Sequence, residues 1–500
     1  MPAVIPVPSR TEAREGWFDL ARAVRLVVPD AAAPEAERAR EALARVGAQR
    51  VEVVTHDDGA PGAIVLTLGD ATLQPPAGVT RPDGVRPSAP PAEEYSLSVD
   101  PDRVVAEAST PEGLLRALAT LEQLASVRDG GAGLEAVHVT DAPRYSWRGL
   151  MVDISRHFFG VPVLKDVVDL LALYKLNVLH LHLSDDQGWR LDIGSRPELA
   201  KRSGDTEVGG GAGGFLTADD YVTLVTYAAE RGVVVVPEID LPGHTNAALH
   251  AVPELNPSGE ATAVYTGTEV GFSALDLELP ATEPFLRDVL GEVAALTPGD
   301  YLHIGGDEVK TMTPEAYAAF VEKAAEIVVE AGKRPVVWQE GGKAQLPDGA
   351  VVQLWESNSS PEAVLEAAAR GARVVLSPGK HVYLDMKYHA DYSLGLAWAG
   401  LVDVRESYDW DPDAYTPGLD PAAIDGVEAA LWTETVTTRE ELFTMLLPRL
   451  AAVAEVAWSA QDARALDDVA RRLADHAALW QERDWAFHPS DQVPWPSLTR

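Results

Sequence analysis

The chain predicts an irregular (β/α)8 TIM barrel over residues 143–500, preceded by a small α/β (α+β) domain over residues 1–142. Three observations predict it. At 500 residues the chain exceeds the usual size of one domain, so two or more are expected. From about residue 145 there are eight short apolar runs, each ending in polar or aromatic residues. Most of these runs are separated by segments long enough for a helix, the alternation that builds a closed parallel barrel.

In the first 142 residues, apolar runs at 23–28, 51–55 and 63–68 read as strands. Residues 34–46 and 111–126 carry apolar residues at helical spacing. Residues 75–92 are rich in Pro, Gly and charge and read as a long loop. Tyr95–Val99 and Val104–Ala108, with a Pro-Asp turn between, read as a hairpin. This region carries no recognisable chemistry and reads as a packing domain.

The eight barrel strands are expected at 148–154, 177–184, 233–240, 301–307, 335–340, 351–356, 373–378 and 427–434. Helices are expected at 162–175, 218–231 and 313–332. An open doubly wound sheet is the alternative. Eight strands with polar endings favour the barrel. Only ten residues separate Glu340 from Val351, too few for a standard helical crossover, so irregularity is expected there. Residues 204–216 hold a glycine run at Gly209–Gly214 that reads as a mobile loop. Residues 253–276 and 379–426 are long insertions of the kind that build a substrate site.

Composition narrows the function. The formal net charge is −36 with a sequence pI near 4.6, a surface that repels nucleic acid and anionic membrane. There is no cysteine, which excludes disulfides, thiolate metal sites and cysteine nucleophiles. The N-terminus lacks a basic start followed by an apolar run, and no stretch has transmembrane length. The expected location, as the chain is written, is cytoplasmic, with secretion following only if a signal has been removed.

Carboxylates, one arginine and several tryptophans gather at the predicted strand ends. They are Asp153 and Arg156, Asp185 and Asp186, Asp240 and His244, Asp307 and Glu308, then Trp338, Trp355, Tyr383, Asp385, Trp432 and Glu434. Carboxylates and arginine hydrogen-bond hydroxyls, and indole faces pack on the apolar face of a pyranose. Asp307 and Glu308 follow two glycines at a strand end, where adjacent carboxylates point into different surroundings and can hold different protonation states. No phosphate cradle or dinucleotide fingerprint is present. His180 and His182 alternate in a strand beside Asp185, but no third ligand has metal-site spacing, so no metal and no cofactor is expected.

These residues form recognisable motifs. Asp153-Ile-Ser-Arg156, Leu181-His-Leu-Ser-Asp185-Asp-Gln-Gly-Trp-Arg190, Pro237-Glu-Ile-Asp-Leu-Pro-Gly-His244, His303-Ile-Gly-Gly-Asp307-Glu308 and Trp432-Thr-Glu434 closely resemble glycoside hydrolase family 20. Its typical members are β-N-acetylhexosaminidases, and the bacterial, actinomycete-like ones are the most similar. The resemblance implies substrate-assisted retaining hydrolysis, an exception to the two-carboxylate scheme. Glu308 would be the general acid/base, and Asp307 would orient the acetamido group and stabilise its developing charge. Tyr383 would hydrogen-bond the acetamido oxygen. Asp185 and His244 would form a polar relay to the acid. Trp338, Trp355 and Trp432 would wall the sugar, Arg156, Asp385 and Glu434 would bind its hydroxyls, and Trp398 would flank the leaving group. The partner would be an oligosaccharide with a terminal N-acetylhexosamine. Two departures stand out: the glycine loop reads Gly213-Gly-Phe-Leu216 where the family carries aromatics, and Leu241 replaces a common methionine. A disaccharide-releasing glycosidase of the same family and a non-catalytic carbohydrate-binding protein are the alternative readings.

Overall fold

The computed structural model describes residues 3–20, 24–30, 33–69, 93–128, 131–357 and 360–496. The expected loop at 75–92 lies outside the described residues.

The N-terminal part is one mixed sheet. Its strands are β1 (Arg10–Asp19), β2 (Val24–Val27), β3 (Val51–Val54), β4 (Ala63–Leu68), β5 (Tyr95–Asp100), β6 (Arg103–Ala108), β7 (Ala125–Arg128) and β8 (Gly131–Asp141). The order is β1-β8-β5-β6-β4-β2-β3, with β7 paired to β8. The expected hairpin is the antiparallel β5–β6 pair. β1 and β8 have no counterpart in the expected elements. β1 is largely exposed and polar, so it carries little apolar signal. Helices Pro34–Arg45 and Pro111–Leu124 supply the apolar side chains of a second core with this sheet.

Strands β9 (Trp147–Asp153), β10 (Val178–His182), β13 (Val234–Glu238), β14 (Tyr301–His303), β15 (Arg334–Trp338), β16 (Val351–Leu354), β17 (Arg373–Leu376) and β18 (Ile424–Leu431) close into a parallel barrel. Two short strands, β11 (Ser184–Asp185) and β12 (Gly188–Trp189), form a separate pair after β10. The barrel strands are Val- and Leu-rich because both faces are buried. Crossover helices begin where the sequence places caps. Thr217 and Asp220 make a reciprocal capping box before Ala218–Ala229, and Thr313 caps Pro314–Glu330 with proline at the first turn. The short gap after Glu340 is spanned by a 3₁₀ turn, Gln339–Lys343, in place of a helix.

The lumen is layered by the two-residue period of the strands. Trp147, Val178, Val236, Tyr301, Val336, Val351 and Val375 form an apolar layer. Two residues further along their strands come Gly149, His180, Glu238, His303, Trp338, Gln353 and Ser377. Gly149 is required because a Cβ there would lie 2.3 Å from a Glu428 carboxylate oxygen. The lumen therefore changes from apolar to ionised on approaching the C-terminal rim, where barrel sites are built.

The two parts meet through buried ion pairs. The Glu93 carboxylate accepts from Arg116 (2.8 Å) and from Arg148 of β9 (2.6 Å). The Lys175 ammonium donates to Asp141 at 2.9 Å and to the Tyr95 hydroxyl at 2.7 Å. Both Lys175 and Arg148 are fully buried.

Two expectations about local structure are corrected. The fourth barrel strand ends at His303, not at Asp307. Gly305 (φ 67°) and Gly306 (φ 108°) turn the backbone out of the ladder, and Glu308 itself is left-handed at φ 54°. The glycine-rich segment 204–216 is pinned. The buried Arg190 guanidinium donates to the carbonyls of Gly204, Thr206 and Gly214, and to that of Ser155 beside the site. The Val208 amide also donates to the Arg156 carbonyl at 3.0 Å.

Candidate active site

At the C-terminal rim, Asp153 braces the first turn. One of its carboxylate oxygens accepts from the Ser155 and Arg156 amides (2.7 and 3.0 Å), the other from the Thr433 amide and hydroxyl (3.1 Å each). This holds Arg156 over the Trp432 ring, 4.8 Å from its centroid, with the guanidinium 2.8 Å from Asp185. Trp432 and Thr433 come from the end of β18, so Asp153 ties the first and last strands of the barrel together at the site.

Asp185 is the hub of a buried chain. Its Oδ2 faces His182 Nε2 at 2.7 Å, and its Oδ1 faces His244 Nδ1 at 3.2 Å. Burial alone would raise its proton affinity; Arg156 and His244 outweigh burial and hold Asp185 well below the usual carboxylate range. The far nitrogen of His244, Nε2, lies 3.6 Å from both Asp307 Oδ2 and Glu308 Oε2. Burial opposes a charged imidazole, yet Asp185, Asp307 and Asp240 push the His244 affinity well above that of free histidine. His244 is therefore an imidazolium poised under the two carboxylates. Glu308 is raised by burial first and by the Asp307 charge second, against His244, Lys310 and Arg156. The two adjacent carboxylates thus stand in different surroundings, with Glu308 itself raised.

Asp307 and Glu308 open onto a cavity of ≈ 240 Å³. Arg156, Trp355, Tyr383, Asp385, Trp398, Trp432 and Glu434 line it with them. Tyr383 is buried, its ring stacked near-parallel to Trp355 (14°, centroids 6.3 Å apart) and edge-on to Trp398 (84°, 5.6 Å). Burial and the charge of Glu434 push the Asp385 carboxyl well above its ordinary range, and burial raises Glu434 against the pull of Arg156. Trp398 is 45% exposed at the rim, the most open aromatic of the group.

Asp185 and His244 stand behind the cavity, as a relay requires. Trp338 is not among these lining residues. It ends β15 pointing into the lumen, where its indole N–H donates to Glu238 at 2.8 Å, and it backs Trp432 with ring centroids 6.0 Å apart. The sequence reading missed Thr268, Val270 and Leu396, which line the cavity from the two long insertions. Only the length of those insertions could have signalled them.

The histidines of β10 serve charge balance. His182 has Glu238 2.5 Å from Nδ1 and Asp185 2.7 Å from Nε2; His180 has Glu428 at 2.8 Å and Glu238 at 3.1 Å. Burial opposes their protonation, but Glu428 and Glu238 outweigh it at His180, raising it to about 9, and Glu238 and Asp185 outweigh it at His182, raising it to about 10. Both ring nitrogens of His182 donate to carboxylates, whereas His180 donates only through Nδ1 and its Nε2 faces Glu238 without a hydrogen bond.

The family profile for the glycosyl hydrolase family 20 catalytic domain matches residues 145–461, and that for domain 2 of the same family matches residues 1–142. A β-N-acetylhexosaminidase of Cellulomonas fimi is 49% identical over 499 residues, covering 99% of this chain and 97% of its own. A mutant Streptomyces plicatus β-hexosaminidase solved in complex with its product GlcNAc superposes with a TM-score of 0.91 at 41% identity, covering 99% of this chain and 98% of that one. A β-N-acetylhexosaminidase of Streptomyces coelicolor A3(2) superposes with a TM-score of 0.89 at 41% identity, covering 99% of both chains. With both parts of the chain matched by its profiles, the chain belongs to glycosyl hydrolase family 20.

Proposed function

We propose that the chain is an exo-acting, retaining β-N-acetylhexosaminidase that releases terminal N-acetylglucosamine or N-acetylgalactosamine from oligosaccharides. The observation that carries this reading is the Asp307–Glu308 pair on a small aromatic-walled cavity, with the proton affinity of Glu308 raised by burial and by the neighbouring Asp307 charge. Adjacent residues cannot flank a glycosidic bond from opposite faces, as an acid and a carboxylate nucleophile would. The nucleophile we assign, as membership of family 20 implies, is the substrate's own 2-acetamido oxygen. It attacks the anomeric carbon as Glu308 gives its proton to the leaving oxygen, and the C–O bond breaks to leave an oxazolinium ion. Asp307 accepts the acetamido N–H and stabilises the positive charge. Glu308, now ionised, takes a proton from water, which opens the ring and restores the β-anomer.

Tyr383 donates to the acetamido oxygen and, with Trp355 and Trp432, fixes its approach to the anomeric carbon. Arg156, Asp385 and Glu434 hold the hydroxyls of the terminal sugar. A cavity of ≈ 240 Å³ suits a single sugar ring better than a disaccharide, which favours release of one residue at a time. His244, charged and held by Asp185, steadies both carboxylates through the proton transfers. The relatives named above support the same activity. Release of nitrophenol from the β-N-acetylglucosaminide, with the β-glucoside as control, tests the proposal. Cleavage of the first alone is expected; equal cleavage of both would remove the acetamido group from the mechanism.

A further inference from the structure

Glu340 is an acid that the mechanism above leaves unused. It is the second residue of the 3₁₀ turn Gln339–Lys343 that replaces a helix after β15, directly behind the pocket wall. Its Oε2 accepts the indole N–H of Trp355 at 3.0 Å, and its Oε1 accepts the backbone N–H of Glu308 at 3.5 Å. One carboxylate therefore joins a wall of the cavity to the backbone of the acid/base residue, at the point where that backbone is left-handed. We propose that Glu340 is a positioning residue for hydrolysis, tying Trp355 to Glu308 and placing negative charge behind the site where the oxazolinium ion forms.

Three features support it. The groups acting on Glu340 are acidic or neutral. Burial and then the charge of Asp307 raise it, while the hydrogen bond from Trp355 lowers it, leaving it at about 7. The Tyr317 and Tyr383 hydroxyls also feel its charge. Tyr317 in turn donates to the Gly306 carbonyl at 2.5 Å, so the residues around Glu340 bind the Gly-Gly-Asp-Glu turn from two sides. A carboxylate on the indole N–H also sends electron density into the Trp355 ring, and an aromatic face facing a sugar that becomes cationic gains from that density. The arrangement favours a charged intermediate over a neutral sugar, which is differential binding of the kind that lowers a barrier.

The inference rests on the roles given above to Asp307 and Glu308. Failure of those roles would appear in the nitrophenol assay of the unaltered enzyme; failure of this one appears only in an affinity ratio. The test is inhibition at pH 7.5 by a thiazoline mimic of the oxazolinium ion and by neutral N-acetylglucosamine. Glu340→Gln is expected to weaken the thiazoline at least about fivefold and N-acetylglucosamine less than about twofold. Glu340→Asp, which keeps the charge, is expected to hold the ratio of the two affinities within about twofold of the unaltered enzyme. If Glu340→Gln does not fold, Glu340→Met, close in volume and uncharged, takes its place. Equal weakening of both ligands, an unchanged ratio in the uncharged variant, or an equal loss of ratio in Glu340→Asp would overturn the proposal.

Discussion

Replacing His244 by Asn removes a positive charge from beneath the reacting carboxylates while keeping a polar side chain of modest size. The imidazolium nitrogen lies 3.6 Å from both Asp307 and Glu308. Two unit charges at that separation interact by roughly 5 kcal/mol at an effective dielectric constant near 20. Glu308 is partly open to water, with 29% of its side chain exposed, so that energy is an upper bound on what the imidazolium lends to the ionised form of Glu308. The sign follows from the charge. His244 favours ionised Glu308, so its loss strengthens proton binding, and the alkaline limb of kcat/KM moves to higher pH. The assay is a pH profile of kcat/KM on an aryl N-acetylglucosaminide with an unactivated leaving group, for which proton donation matters most. An alkaline limb that stays in place, or that moves to lower pH, would refute the placement of a charged His244 under this pair.

Two further outcomes are expected. Glu308→Gln should lower kcat on unactivated aryl substrates by roughly 10²- to 10⁴-fold while leaving inhibition by N-acetylglucosamine within a few-fold, and the loss should shrink as the leaving group becomes more acidic. His182, raised to about 10 between Glu238 and Asp185, stabilises the fold fully below its unfolded value near 6.5, and that contribution is lost as pH rises toward 10. The melting temperature should therefore fall across pH 6.5–10, and His182→Gln should start lower and show a flatter decline; parallel curves would contradict the ion-pair assignment.

The barrel was legible because each strand is a short Val- or Leu-rich run punctuated by a polar residue, and the closure into eight strands follows the count. The Asp307–Glu308 pair, Arg156 and the tryptophans were legible because they fall within recognisable strand-end motifs. What stayed hidden depends on direction and on partners far away in sequence. Trp338 sits in the right motif, but the parity of β15 turns it into the lumen toward Glu238. The loop at 204–216 reads as free because its glycines favour many conformations, and nothing local reveals that Arg190 reaches across to hold it. Glu340 was visible at a strand end in Trp-Gln-Glu. Its contact with the Glu308 amide depends on a 3₁₀ turn whose presence was expected only as irregularity.

The buried pairs between the sheet and the barrel constrain how such an enzyme can be cut, fused or shuffled. Glu93 and Asp141 sit on one side of the boundary near residue 143, and Arg148 and Lys175 on the other. A barrel excised at that boundary would lose the counter-ions of Arg148 and Lys175 and open the seam where they sit to water. The leading domain, although remote from the sugar, is thus the electrostatic keel of the catalytic one.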